Sequence, residues 1–113
     1  MDLKTKKVNN VFVVYLSGRL DINYASDIEI EINRIIKENP DSHILLDLSA
    51  VEYMSSSGIR VFVATTRILK EAKRKLKISG MSDAVKKIFS VVELMDLFDV
   101  HDTEAGALAA FGK

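Results

Sequence analysis

Residues 43–59 carry the strongest constraint on the fold. The run His43-Ile44-Leu45-Leu46-Asp47-Leu48-Ser49 is nearly continuous apolar, a helical pattern starts at Ile59, and Met54-Ser55-Ser56-Ser57-Gly58 stands between them. A strand of that kind, Ile44 to Leu48, is the central strand of a sheet covered by helices. Its handover to a helix marks an α/β fold with helical crossovers between parallel strands. The handover also has a chemistry of its own. Backbone N–H groups at a helix start lack internal partners, and the helix dipole is positive there. Three hydroxyls and a glycine at such a place suit a phosphate, brought by a ligand or attached to a serine.

The rest of the chain supplies the neighbours. Leu3 to Val8 is a partly polar edge strand, and Asn9-Asn10 reads as a turn because Asn tolerates left-handed backbone. Val11 to Leu16 predicts a strand, with Gly18 to Asn23 as its connection to a helix. Ala25, Ile28, Ile32, Ile35 and Ile36 share one helical face, with Asp27, Glu31, Arg34 and Glu38 opposite. Asn23 can cap this helix, and so can Ser26, with Glu29 completing a capping box. Asn39-Pro40-Asp41 ends it. The second helix starts within Ser57 to Ile59, with Gly58 in its first turn. It runs to Ala72 with Phe62, Ala64, Thr65, Ile68, Leu69 and Ala72 as an apolar band.

Leu76 and Ile78 mark a short strand stopping at Gly80, and Ser82 caps a third helix carrying Val85, Ile88 and Phe89. Phe98 to His101 is the last strand, and Thr103 caps a terminal helix ending near Gly112. The expected fold is a single domain over residues 1–113. It has a central mixed, mostly parallel sheet and about four helices.

Composition narrows the function. Lys and Arg number 16, Asp and Glu 16, so the formal net charge is zero, which argues against a protein built to grip nucleic acid or an anionic membrane. The basic run Arg67, Lys70, Lys73, Arg74, Lys75, Lys77 reads as cations near a helix C-terminus, and Glu93 to Glu104 is acidic. There is no cysteine, hence no disulfide framework or thiolate metal site, and this fits a reducing, cytoplasmic setting. Residues 1–7 do not resemble a secretion signal, and no apolar run approaches a membrane span. His43 and His101 are far apart without clustered carboxylates, so no metal is expected. Without a G-x-S-x-G elbow or a G-x-x-x-x-G-K-[ST] loop, no catalytic residues and no cofactor are expected either.

Within the serine stretch, Ser57 reads in two compatible ways. It is an N-cap, or it is a phosphoacceptor to which Gly58, lacking a side chain, gives a kinase room to approach. Ser55 and Ser56 read as turn residues that satisfy their own backbone. Asp21 reads as an Asx-turn or cap, lying beside the serines if both sit at the same ends of adjacent strands. Asp47, near the end of its strand, reads as structural.

Ile44-Leu45-Leu46-Asp47-Leu48-Ser49-Ala50-Val51-Glu52-Tyr53-Met54-Ser55-Ser56-Ser57-Gly58 resembles the signature of the STAS family, named for sulphate transporters and anti-sigma factor antagonists. That pattern is a strand ending in D-L-S, then an apolar and an aromatic residue, then D-S-S-G or D-S-T-G. Leu16-Ser17-Gly18-Arg19-Leu20-Asp21 resembles its L-x-G-x-L-D element, and Ser82 to Phe89 its S-P-x-V-x-x-x-F. Ser55 departs from the pattern, standing where the family has Asp.

The resemblance implies a stand-alone anti-sigma factor antagonist, not an enzyme, that binds an anti-sigma factor which is also a serine kinase. Phosphorylation at Ser57 would end that binding. It places partner contacts at Asp21, Ile22, Asn23, Ser55, Ser56, Gly58 and Ile59, and implies a monomer or weak dimer. Rival readings are a scaffold of a signalling assembly, a soluble subunit of a membrane transport complex, or a small hydrolase using Ser57.

Overall fold

The structure, a computed structural model, describes residues 3–91 and 95–111. Strand β1 (Lys4–Val8) pairs antiparallel with β2 (Val11–Leu20) around Asn9, whose φ of 54° is the left-handed turn conformation expected of Asn. There follow α1 (Ile22–Glu38), β3 (His43–Met54), α2 (Ser56–Glu71), β4 (Leu76–Ser79) and α3 (Asp83–Val91). A 3-10 turn (Met95–Leu97), β5 (Asp99–His101) and α4 (Glu104–Phe111) complete the order. Among the described residues the sheet has five strands in the order β1-β2-β3-β4-β5, and every pair after the opening hairpin is parallel. That is the mixed, mostly parallel sheet that the sequence led one to expect, with four α-helices among the described residues against the expected about four. The helix end expected near Gly112 and the acidic Glu93 lie outside the described residues.

Two strands are longer than their patterns suggest. β2 does not end at Leu16 but continues to Leu20, so the connection expected over Gly18 to Asn23 shrinks to Asp21. β3 continues past Leu48 to Met54, which leaves Asp47 in mid-strand. The two extensions hold each other: Ser17 pairs with Ala50, Gly18 with Val51, Arg19 with Tyr53 and Leu20 with Met54, across two register shifts. Gly18 sits at φ +79°, a conformation that costs glycine little, and so supplies the irregularity the second shift needs.

The main core lies between the sheet and α1 to α3. All five apolar residues expected on α1 are buried. Phe62 of α2, Phe89 of α3 and Phe98 form an aromatic chain, with ring centroids 6.4 Å and 5.6 Å apart. The band on α2 is shifted from the expected one. Val61 is buried beside α1, while Ile68 is 43% exposed and Ala72 lies at the surface beyond the helix end. The caps at Ser82 and Thr103 are as expected, accepting from Val85 N at 3.2 Å and Gly106 N at 3.0 Å.

The other sheet face carries Val11, Val13 and Leu45, covered by Ala107 of α4. α4 is pinned where Tyr15 donates to Glu104 at 2.5 Å and Lys6 donates to it at 2.8 Å. Those bonds, Lys6 first, hold the Glu104 carboxyl below the usual carboxylate range.

The basic run is not one patch. Arg74 donates to the carbonyls of Ser42 at 2.5 Å and Asn39 at 2.8 Å, and so ties the C-terminal end of α1 to β4. Lys77 is buried and paired with Asp99. Arg67, Lys70, Lys73 and Lys75 remain at the surface. No helix among the described residues is long and apolar enough to cross a membrane.

Candidate functional site

Leu20 and Met54 are register partners at the ends of neighbouring parallel strands, so α1 and α2 begin side by side. Asp21 caps α1: its carboxylate accepts from the N–H groups of Asn23 at 3.1 Å and Tyr24 at 3.0 Å. Neither Asn23 nor Ser26 is the cap. An Asp in extended backbone immediately before the helix satisfies two orphan donors, and Asn23 and Ser26 already lie inside the helix.

At α2 the cap is Ser55, not Ser57. The Ser55 hydroxyl accepts from Gly58 N at 3.2 Å and donates to the Leu20 carbonyl at 2.9 Å, and Ser55 N donates to the same carbonyl at 2.9 Å. The helix therefore starts at Ser56, one residue before the expected window, with Gly58 in its first turn as expected. Ser and Asp are both strong N-caps, so the departure from the family pattern at Ser55 keeps the cap. It also adds a donor to β2 that a carboxylate lacks.

Gly58 is required by proximity. A Cβ there would lie 3.2 Å from the Leu20 carbonyl oxygen and 3.3 Å from Met54 Cε. Alanine fits if those neighbours yield slightly. Valine adds two methyls against a backbone carbonyl, and Gly58→Val is expected to cost about 1–3 kcal/mol. Urea denaturation checks it, as a lower midpoint at unchanged slope.

These starts leave a groove between α1 and α2, with a cavity volume of about 370 Å³, between Ile22, Ser26 and Glu29 on one wall and Ser57, Arg60 and Val61 on the other. Ser57 is half-buried, and among the described residues its hydroxyl has no hydrogen-bond partner. Ser56 is exposed and lies outside the groove. Asp21, Ile22 and Asn23 are exposed beside it, Ile22 by 68%. Gly58 and Ile59 were expected to touch a partner but face inward. Ile59 is 2% exposed within the core, so both set the position of α2. Ser55 is half-buried and occupied by capping. Sequence reasoning missed Glu29 as a groove wall and Arg60 altogether. Arg60 stands three residues after Ser57, but only the packing of α1 beside α2 makes the two residues line one groove with Glu29.

Asp47 is buried and accepts from Ser49 N at 3.1 Å, Ser49 Oγ at 2.5 Å and Ser79 Oγ at 3.1 Å, which makes it a brace between β3 and β4. His43 lies at the opposite end of β3 from Ser57 and accepts at Nδ1 from Lys75 N at 2.9 Å. Burial, then the cations Lys75, Arg74 and Lys77, push its pKa down. His101, on edge strand β5, has Nε2 3.1 Å from an Asp99 oxygen, in poor alignment for a hydrogen bond. The structure therefore brings neither imidazole to Ser57 as a base.

The family model for the STAS domain matches residues 2–107. The anti-sigma-B factor antagonist of Staphylococcus aureus (strain NCTC 8325 / PS 47) is 28% identical over 102 residues, 90% of this chain and 94% of that protein. An anti-sigma factor antagonist from Mycobacterium paratuberculosis, solved by crystallography, superposes with a TM-score of 0.87 at 25% identity, covering 99% of this chain and 94% of that one. SpoIIAA of Bacillus in its phosphorylated form shares the fold, with a TM-score of 0.73 at 21% identity over 97% of this chain and 99% of that one.

Proposed function

This chain belongs to the STAS domain family, and from that premise we propose that residues 1–113 form one domain acting as an anti-sigma factor antagonist. The unphosphorylated protein binds an anti-sigma factor that is also a serine kinase, and so frees a sigma factor for transcription. The kinase transfers the γ-phosphoryl group of ATP to Ser57 Oγ; ADP leaves, the hydroxyl proton is released, and binding is lost. The chain is substrate and competitor in this cycle rather than an enzyme, and it needs no metal or cofactor of its own. It works in the cytoplasm, where its ATP-using partner is, as a monomer or weak dimer. The two relatives named as antagonists at 25–28% identity support the reading.

The observation that carries it is the position of Ser57. Its hydroxyl sits unpartnered in the first turn of α2, in a groove flanked by the exposed cap and first residues of α1, Asp21, Ile22 and Asn23. The partner docks over the starts of α1 and α2, meeting Asp21, Ile22, Asn23 and Ser56. A phosphate brings about −1.5 to −2 charges into this contact. It must be desolvated there, with the Glu29 carboxylate on the opposite wall of the groove and Asp21 at the neighbouring helix start. The test is incubation with the cognate kinase and ATP, then peptide mapping. Phosphate is expected on Ser57 alone; phosphate on Ser56 with Ser57 bare overturns the assignment.

A further inference from the structure

We infer that Arg60 is a built-in receptor for a phosphate on Ser57, folding the modified side chain down into the groove between α1 and α2. This rests on the reading of Ser57 as phosphoacceptor and names the residue that holds the product. Ser57 and Arg60 line the same groove. They stand three residues apart on α2, and at that spacing side chains on a helix are neighbours, with Cβ atoms about 5–6 Å apart. Arg60 is exposed, and among the described residues it forms no ion pair, so its guanidinium is free to turn. Glu29 stands on the opposite wall but is not paired with it.

A planar guanidinium matches two phosphate oxygens at once, which an ammonium on the same stem does not. Ser26 on the α1 wall lines the same space and carries a further hydroxyl donor. Ser56 is also within a turn of Arg60, but it is exposed and outside the groove, so a phosphate there would remain in solvent. Capture by Arg60 turns the phosphate into an occupant of the docking groove. The off state is then a filled site as well as a repelling charge, and the phosphoester is sheltered from hydrolysis.

The experiment installs phosphoserine at position 57 by genetic code expansion, so that no kinase is needed. Phosphorus NMR then follows the phosphate through pH in the otherwise native protein, in Arg60→Gln and in Arg60→Lys. With Arg60 the second ionisation of the phosphate is expected about half a pH unit or more below its value in Arg60→Gln, with Arg60→Lys between them. A general alkaline phosphatase should remove the group several-fold faster from Arg60→Gln. Circular dichroism confirms that the variants are folded, as the exposure of Arg60 predicts. Identical titrations and identical dephosphorylation rates in all three proteins overturn the inference. Failure of the kinase to modify Ser57 would appear only in peptide mapping and would leave this titration unchanged, so the two failures are distinguishable.

Discussion

Ser57→Asp is expected to weaken binding of the kinase partner at least tenfold while leaving the melting temperature nearly unchanged. The two halves of that expectation have different causes. In the free protein, residue 57 is in the first turn of α2, where a carboxylate meets the positive end of the helix dipole and is tolerated. In the complex, the same carboxylate is enclosed in a groove that holds Glu29 as well as Arg60 and borders Asp21. Removing it from water and pressing it against like charges needs to cost only about 1.4 kcal/mol to lower affinity tenfold. Ser57→Ala should leave both stability and affinity nearly intact, because Ser55 supplies the helix cap and alanine adds no charge. Calorimetric titration of the two variants against the partner reads the difference. Equal affinity for Ser57→Asp and the native protein would mean that charge at this position does not control the complex.

Phe89→Ala is expected to remove about 3–5 kcal/mol of stability. Phe89 is fully buried, with Phe62 on one side and the edge of Phe98 on the other, and so joins α3 to α2 and to the approach to β5. Truncation takes away the ring's transfer energy and leaves a cavity that two further rings border. A domain of this size holds about 5–15 kcal/mol in total, so the variant would stand near its unfolding threshold. Ile88→Ala, one residue earlier and only partly buried, should cost much less. Urea denaturation compares them. A loss below about 1 kcal/mol for Phe89→Ala would show that the aromatic chain is not the centre of the core.

What could be read from the sequence was what local periodicity encodes. The buried face of α1 followed from apolar spacing alone, residue for residue. Asn9, Ser82 and Thr103 followed from the turn and cap chemistry of single side chains. What could not be read depended on neighbours distant in the chain. Residues 17–20 and 50–54 look like loop because each stretch is polar or irregular; they are strand because each has the other to pair with. Three consecutive serines are equivalent as caps until the Leu20 carbonyl selects Ser55 as the one that can also donate to β2. Asp21 and the serine stretch could be placed together in advance because adjacent parallel strands end together. The facing of Glu29 and Arg60 could not, since it depends on how α1 rotates against α2.

The most direct test of the switch is calorimetric titration of the partner with unmodified protein and with protein fully phosphorylated on Ser57. The expected result is a loss of about a hundredfold or more in affinity on phosphorylation, about 2.7 kcal/mol, with the fold unchanged. Phosphorylated protein binding as tightly as unmodified protein would contradict it.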